Sequence, residues 1–523
     1  MILHTVIVFG MLFFRRDSAL ADNAEAGSSW ILALLSAGVY LMISLAGSVA
    51  STRLALARLR DTPDKLSEIV RRHHRHVDLL RGYLVAGFAV LFYVSPWSGQ
   101  VYALELGPWA KIVADLIVVG PYLAAAALVW ATTYPVDRAF REPAAGPGES
   151  RVSEAGVPSC WAFILYNLRF HVLIVALPML AILFASNAVR GYGGTLRRWL
   201  FGWPIAPDIA VGAVAMIVFI LSPLLMRRVW TVVPMPAGSL RDRLERMCAR
   251  IGLGCRGIMI WKSDGMMINA AVMGVVRPVR YILLSDGLLE SMNDRQIEAV
   301  LGHEAGHVRR RHIEYFLLFA LVATLAVSGI AEAALHLFPA MSGGAVEAVG
   351  GAATLVIWGL GFGFISRRFE READLFGAAS ITPDLETCTL PCRVHADTAV
   401  DRHDDFAAHR EGPCAAAAAV FVSALDRVAL LNGLDPEEPS WRHSSIASRM
   451  RHLTALAADP AMARRFRRRL TQIRAALIAL SVLGSAASAA YVAWGDPMLL
   501  RGVAATQTDS GRILVDRTGA AER

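Results

Sequence analysis

Leu301-Gly302-His303-Glu304-Ala305-Gly306-His307 reads His-Glu-x-x-His, in a stretch with helix signals on both sides. Asn293 stands where an N-cap belongs, and Gln296 follows at the spacing of a capping box. Ile297, Val300 and Leu301 supply an apolar face. On such a helix His303 and His307 leave the same face, one turn from each other. Two imidazoles at that spacing suit one zinc ion, and Glu304 beside them suits a base that takes a proton from water. The bland alternative is a solvated helix face with two incidental histidines. The capping signal argues against it, and so does a third element further along.

That element is Ser366-Arg367-Arg368-Phe369-Glu370-Arg371-Glu372-Ala373-Asp374. A catalytic zinc takes three protein ligands and keeps one position open. Glu370 is the candidate third ligand. Asp374, one helical turn later, is placed to hydrogen-bond a zinc-bound histidine, fixing its tautomer and direction. A surface glutamate is the commoner fate of Glu, but Glu370 and Asp374 share a face. The intervening chain adds a second argument. Residues 315–337 and 350–365 are apolar spans, the second on the short side, and the loop 338–349 has no Lys or Arg. A membrane hairpin leaves the bilayer on the side where it entered, so both motifs are expected together at the membrane surface.

These residues resemble the integral-membrane zinc metalloproteases of the HtpX and CaaX-prenyl-protease kind. The resemblance rests on His303-Glu304-x-x-His307, the hairpin, and Ser366-Arg367-x-x-Glu370-x-x-Ala373-Asp374. Asn269-Ala270-Ala271 with the stretch 281–289 is similar to that family's strand pair before the zinc helix. Trp441-Arg442-His443-Ser444-Ser445-Ile446-Ala447-Ser448-Arg449 is similar to a late His-Pro-x-x-x-x-Arg-like segment, with Ser444 where proline is usual. The resemblance covers residues 230–455 and leaves out the N-terminal membrane region. It implies a gluzincin-type endopeptidase with one Zn2+ per chain, held by His303, His307 and Glu370. Glu304 is then the general base, and Asn269, His443 and Arg449 contact the substrate or its oxyanion. A small-residue strand at 269–271 also suits a sheet edge on which an extended peptide is held by backbone hydrogen bonds; a plain buried strand is the alternative.

Composition fits this class. Of 523 residues 55% are hydrophobic, and the mean hydropathy of +0.45 lies above the soluble range. The formal charge is +8, with arginines clustered beside apolar spans, a pattern of membrane orientation. No nucleic-acid motif accompanies it, so no nucleic-acid partner is expected. Six cysteines show no secreted disulfide framework.

The fold class expected is mainly α: a polytopic membrane protein with about eight transmembrane helices and a cytoplasmic zincin-like α+β metalloprotease domain. Residues 1–28 form an N-terminal segment whose apolar part, 2–14, is too short to cross a bilayer. Residues 29–228 are expected to hold five spans, 29–49, 82–97, 109–131, 168–187 and 209–226. The first protease part is 229–314, the hairpin 315–365, the second part 366–470, the last span 471–494 and a polar tail 495–523. Within 229–314, Ser239 with Asp242 is expected to cap a helix, and 258–261, 267–273 and 281–284 read as strands. The stretch 50–81, with His73, His74 and His76, reads as a solvated basic loop. Asp115 reads as an acid meeting Lys111 or interfacial water. The irregular stretch 375–413 reads as a polar loop over the cleft, its Cys388, Cys392, His395, His403 and His409 lacking a strong zinc spacing.

The positive-inside rule puts 50–81, 132–167, 227–314 and 366–472 on the cytoplasmic side, here of a bacterial inner membrane; the loop 188–206, with three arginines, dissents. The expected partners are the lipid bilayer and membrane-protein or membrane-bound peptide substrates, with quality control preferred over CaaX-type trimming of lipidated C-termini. A non-catalytic scaffold with structural zinc is the other class, disfavoured because a structural site fills its fourth position with Cys or His. Oligomeric state is unmarked in the sequence.

Overall fold

The computed structural model describes residues 1, 4–12, 30–104, 111–141, 159–199, 206–263, 267–341, 343–381 and 413–494. Among them eight helices are long and apolar enough to cross a membrane, the expected number. They are Trp30–Asp61, Glu68–Tyr93, Lys111–Ala139, Cys160–Val189, Ile209–Val229, His312–Leu337, Val349–Ile381 and Pro460–Tyr491. The chain divides into two compact units, Met1–Glu304 with Ser423–Pro436 and Ala305–Val422 with Glu437–Arg523. The boundary falls inside one continuous helix, Asp294–Arg309. The stretch 382–412, with its Cys and His residues, and the tail 495–523 lie outside the described residues.

Several helices outrun their apolar stretches. Hydropathy counting stops at the first arginine, but backbone hydrogen bonding does not. The expected loop 50–81 is therefore mostly the end of helix Trp30–Asp61 and the start of helix Leu66–Tyr93, joined by one tight turn at Pro63–Lys65. His73 is buried there, its Nδ1 3.1 Å from the Ser51 hydroxyl, while His74 is exposed. Asp115 is also corrected: it is fully buried, with the Tyr102 hydroxyl donating to it at 3.0 Å. Around it the first unit packs Leu84, Phe88, Phe92, Val118, Tyr122 and Trp130 into one core.

The first unit also holds a four-stranded sheet, ordered β1 (Val232–Pro234), β2 (Gly257–Trp261), β4 (Tyr281–Ser285), β3 (Ala270–Met273). Strand β1 was not expected; three residues give no alternation to read. The central pair β2–β4 is parallel, and the outer pairs are antiparallel. All five residues of β4 are buried, which is why this stretch reads as an unbroken apolar run. Trp230 and Trp261 stack at 4.5 Å and 9°, with Phe170 5.2 Å from Trp261. Such ring pairs add about 0.5–1.5 kcal/mol beyond their buried area. Helix Ser239–Arg250 starts one residue earlier than expected, with Gly238 at its N-cap.

In the second unit the hairpin is His312–Leu337 followed by a helical rod, Gly343–Val356, Ile357–Phe362 and Gly363–Ile381. The span that looked short at 350–365 thus runs on without a break through Glu370 and Asp374. Its middle segment is a π turn, and such turns often mark functional positions. Phe319, Ala323, Ile365, Phe369, Leu470 and Leu477 form the core that joins the hairpin to the last helix, Pro460–Trp494.

Candidate metal centre

The chain enters the His303 helix through two caps in succession. Ser285, the last residue of β4, accepts from the Leu288 amide at 3.1 Å and starts helix Asp286–Ser291. The expected capping box then forms in full. The Gln296 amide donates to Asn293 Oδ1 at 3.0 Å, and the Asn293 amide donates to Gln296 Oε1 at 3.3 Å. Caps of this kind contribute about 1 kcal/mol. Buried Glu298 accepts from Arg243 at 2.8 Å, tying the helix to Ser239–Arg250 within the first unit.

His303, His307 and Glu370 each offer a ligand atom, and these atoms all lie within 4.8 Å of one another. The histidines are half-buried and Glu370 is buried. His307 Nε2 is 3.6 Å from Glu370 Oε1. Zinc sits roughly 2.0–2.2 Å from such nitrogen and oxygen donors, so the cluster fits the ion with small side-chain adjustments. Two imidazoles and one carboxylate also match the donor set of a catalytic zinc, leaving a position open.

Helix packing sets this separation. A Cβ on Gly306 would lie 3.0 Å from the Ala373 Cα and 3.2 Å from the Phe376 Cβ. Glycine there, opposite alanine, lets the end of the His307 helix press against the Glu370 helix.

A second segment is latched over the same helix. The Trp441 indole donates to the Gly359 carbonyl at 2.6 Å, inside the π turn. Arg367 donates to the Trp441 carbonyl at 2.8 Å. Two residues later His443 Nδ1 lies 3.0 Å from Glu370 Oε1. Ser444 then adopts φ 65°, a left-handed conformation closed to proline.

Asp374 takes both ends of one guanidinium: Arg449 Nε donates at 2.9 Å and Nη2 at 2.5 Å. The pair is buried, with Arg449 Nη1 3.7 Å from Glu370 Oε2. Thus His443 and Arg449 both stand beside Glu370. On His307 the neighbour is His312, Nδ1 to Nδ1 at 2.9 Å. Sequence reasoning passed over His312 and Glu372. On a continuous helix, five residues carry a side chain well off the face, and the break in the helix at left-handed Arg311 is what restores the contact. In the first unit, Asn269 is exposed just before β3, the outer strand, and its side chain folds onto the Ala270 amide at 2.9 Å.

Residues 234–389 match the model of Peptidase family M48. Protease HtpX from Xylella fastidiosa is 28% identical over 229 residues, 40% of this chain and 77% of that protein. Protease HtpX from Xanthomonas campestris pv. campestris is 28% identical over 179 residues, 33% of this chain and 56% of that one. The chain thus spans about half the length of the second relative. A protease HtpX homolog from Bordetella pertussis is 30% identical over 122 residues, 23% of this chain and 36% of the relative. Among solved structures, S. mikatae Ste24p is 16% identical with a TM-score of 0.34, over 79% of this chain and 98% of that one. With this match to Peptidase family M48 over residues 234–389, and eight helices among the described residues long and apolar enough to cross a membrane, the chain is an integral-membrane metalloprotease similar to HtpX.

Proposed function

We propose that the chain is a zinc-dependent endopeptidase that cleaves membrane-associated proteins at the cytoplasmic membrane surface. The observation that carries this is the cluster of His303, His307 and Glu370, ligand atoms within 4.8 Å, with Glu304 next to His303 on the same helix. When bound, a zinc ion supplies Lewis acidity, which acidifies a water and polarises the scissile carbonyl.

The chain's own residues do the rest. His303, His307 and Glu370 hold the ion. Glu304 takes the proton from the attacking water and passes it to the leaving amine. The oxyanion of the tetrahedral intermediate needs a donor already in place. His443 is suited to it, since its half-exposed ring stands beside Glu370. Asp374 acts on this end of the site by aiming Arg449 along Glu370. The outer position of β3 supports extended binding of a substrate strand, with Asn269 at its start. The two protease parts, 229–314 and 366–470, flank the hairpin in the sequence, and their arginines support a cytoplasmic placement. A site whose histidines directly precede one span and whose Glu370 directly follows another suits substrates presented at the bilayer.

Elemental analysis of detergent-purified protein tests the ligand set. The wild type should carry about one zinc per chain, and Glu370→Ala should lose it together with casein cleavage. Full zinc in Glu370→Ala would remove that residue from the ligands.

A further inference from the structure

We propose that His312 is a positioning residue for His307, fixed by Glu372 and tied through Arg474 to the last apolar helix. The proposal rests on His307 being a metal ligand, as above. His312 Nδ1 lies 2.9 Å from His307 Nδ1, and His312 Nε2 lies 3.0 Å from Glu372 Oε2. A neutral imidazole has one donor and one acceptor nitrogen. One proton arrangement then satisfies the whole row. His312 donates from Nε2 to the Glu372 carboxylate and accepts at Nδ1 from His307 Nδ1–H. The lone pair of His307 is left on Nε2, the atom 3.6 Å from Glu370 Oε1. The row therefore presents His307 to the ion in the one tautomer that can bind through Nε2.

Each member is held from outside the row. His312 is fully buried, and its ring stacks on Phe369 at 4.3 Å and 7°. Glu372 Oε2 accepts from Arg474 Nη2 at 2.6 Å, and Oε1 lies 3.7 Å from Arg310 Nε. Arg474 belongs to helix Pro460–Trp494, lies 5.1 Å from the centre of the Tyr315 ring and also donates to the Arg310 carbonyl at 3.2 Å. The backbone contributes as well. Arg311 has φ 56°, an uncommon conformation for a non-glycine residue. It ends helix Asp294–Arg309 and starts His312–Leu337 within three residues. That break in the helix brings residue 312 against residue 307.

The test uses the full chain in detergent, with zinc affinity measured against a chromophoric chelator and the absorption spectrum of the cobalt-loaded protein. His312→Phe keeps an aromatic ring on Phe369 and removes both nitrogen contacts. Zinc affinity should fall about 10–100-fold, with a changed cobalt spectrum. His312→Gln, whose amide can accept from His307 and donate to Glu372, should recover most of both. Should His312→Phe not fold, Glu372→Gln carries the same comparison, with an expected loss of affinity and a shifted spectrum. Wild-type affinity and spectrum in a folded His312→Phe or Glu372→Gln would overturn the proposal. A wild type that takes up neither zinc nor cobalt would instead overturn the metal reading on which it stands.

Discussion

Gly306 faces Ala373 so closely that a Cβ on the glycine would stand 3.0 Å from the Ala373 Cα and 3.3 Å from its carbonyl oxygen. Backbone atoms cannot swing aside as a side-chain end can. This approach lies one residue from His307 and three from Glu370, so helix separation and ligand separation are linked. Gly306→Val should cost about 1–3 kcal/mol through overpacking. Zinc affinity should fall with it, because the helices part at the ligands. Thermal unfolding and chelator competition on the same sample check this; unchanged zinc affinity would separate the crossing from the site.

Ser444 carries a second local constraint. Its φ of 65° suits glycine best, and its amide donates to the Ser440 carbonyl at 3.1 Å. Ser444→Gly should be neutral or slightly stabilising, with activity kept. Ser444→Pro would force φ near −65° and remove that donor. The result should be displacement of His443 from Glu370, with a larger fall in kcat than rise in KM for a peptide substrate. Equal activity of the two variants would show that the latch does not aim His443.

The buried Asp374–Arg449 pair gives a third prediction. Removing one partner of a buried ion pair costs about 3–5 kcal/mol, because the other charge is left uncompensated. In Asp374→Ala the freed guanidinium, already 3.7 Å from Glu370, should turn to that carboxylate and compete with the ion. Zinc affinity should therefore fall more in Asp374→Ala than in the double variant Asp374→Ala with Arg449→Met. A double-mutant cycle on zinc affinity measures this; simple additivity would contradict it.

His452, on helix Ile446–Ala458, predicts a pH effect. Its pKa is pushed down to about 4, first by burial and then by the charge of Arg371. Its ring packs edge-on against Phe466 at 5.1 Å. An unfolded histidine titrates near 6.5. Between these values the unfolded chain binds the proton and the folded chain does not, so stability falls as pH falls from about 6.5 toward 4. His452→Leu should flatten that slope. Melting temperatures of both proteins at pH 7.5 and pH 5 give the comparison; a parallel fall would remove His452 as a contributor.

Much of this was legible in the residues. The capping box, the histidine pair, the eight spans and the strands β2, β3 and β4 all show as local patterns, since periodicity and side-chain chemistry act over a few positions. Four features escaped. Strand β1 is too short for a period. Helix ends near Arg58 and Arg464 lie where hydropathy has already dropped but hydrogen bonding continues. The His312–Glu372 contact depends on a left-handed Arg311, and no residue type there announces it. The Asp374–Arg449 pair joins residues 75 positions apart, so the two motifs could be named without showing that one holds the other.

Glu304→Gln tests the role of Glu304 as general base most directly. Glutamine keeps the size and helix position of Glu304 and leaves His303, His307 and Glu370 untouched. Zinc content and casein cleavage should be measured on the same purified samples as the wild type. Zinc should stay at about one per chain, with cleavage reduced about 10²–10⁴-fold, the range for a lost general base. Wild-type cleavage in a zinc-replete Glu304→Gln protein would contradict it.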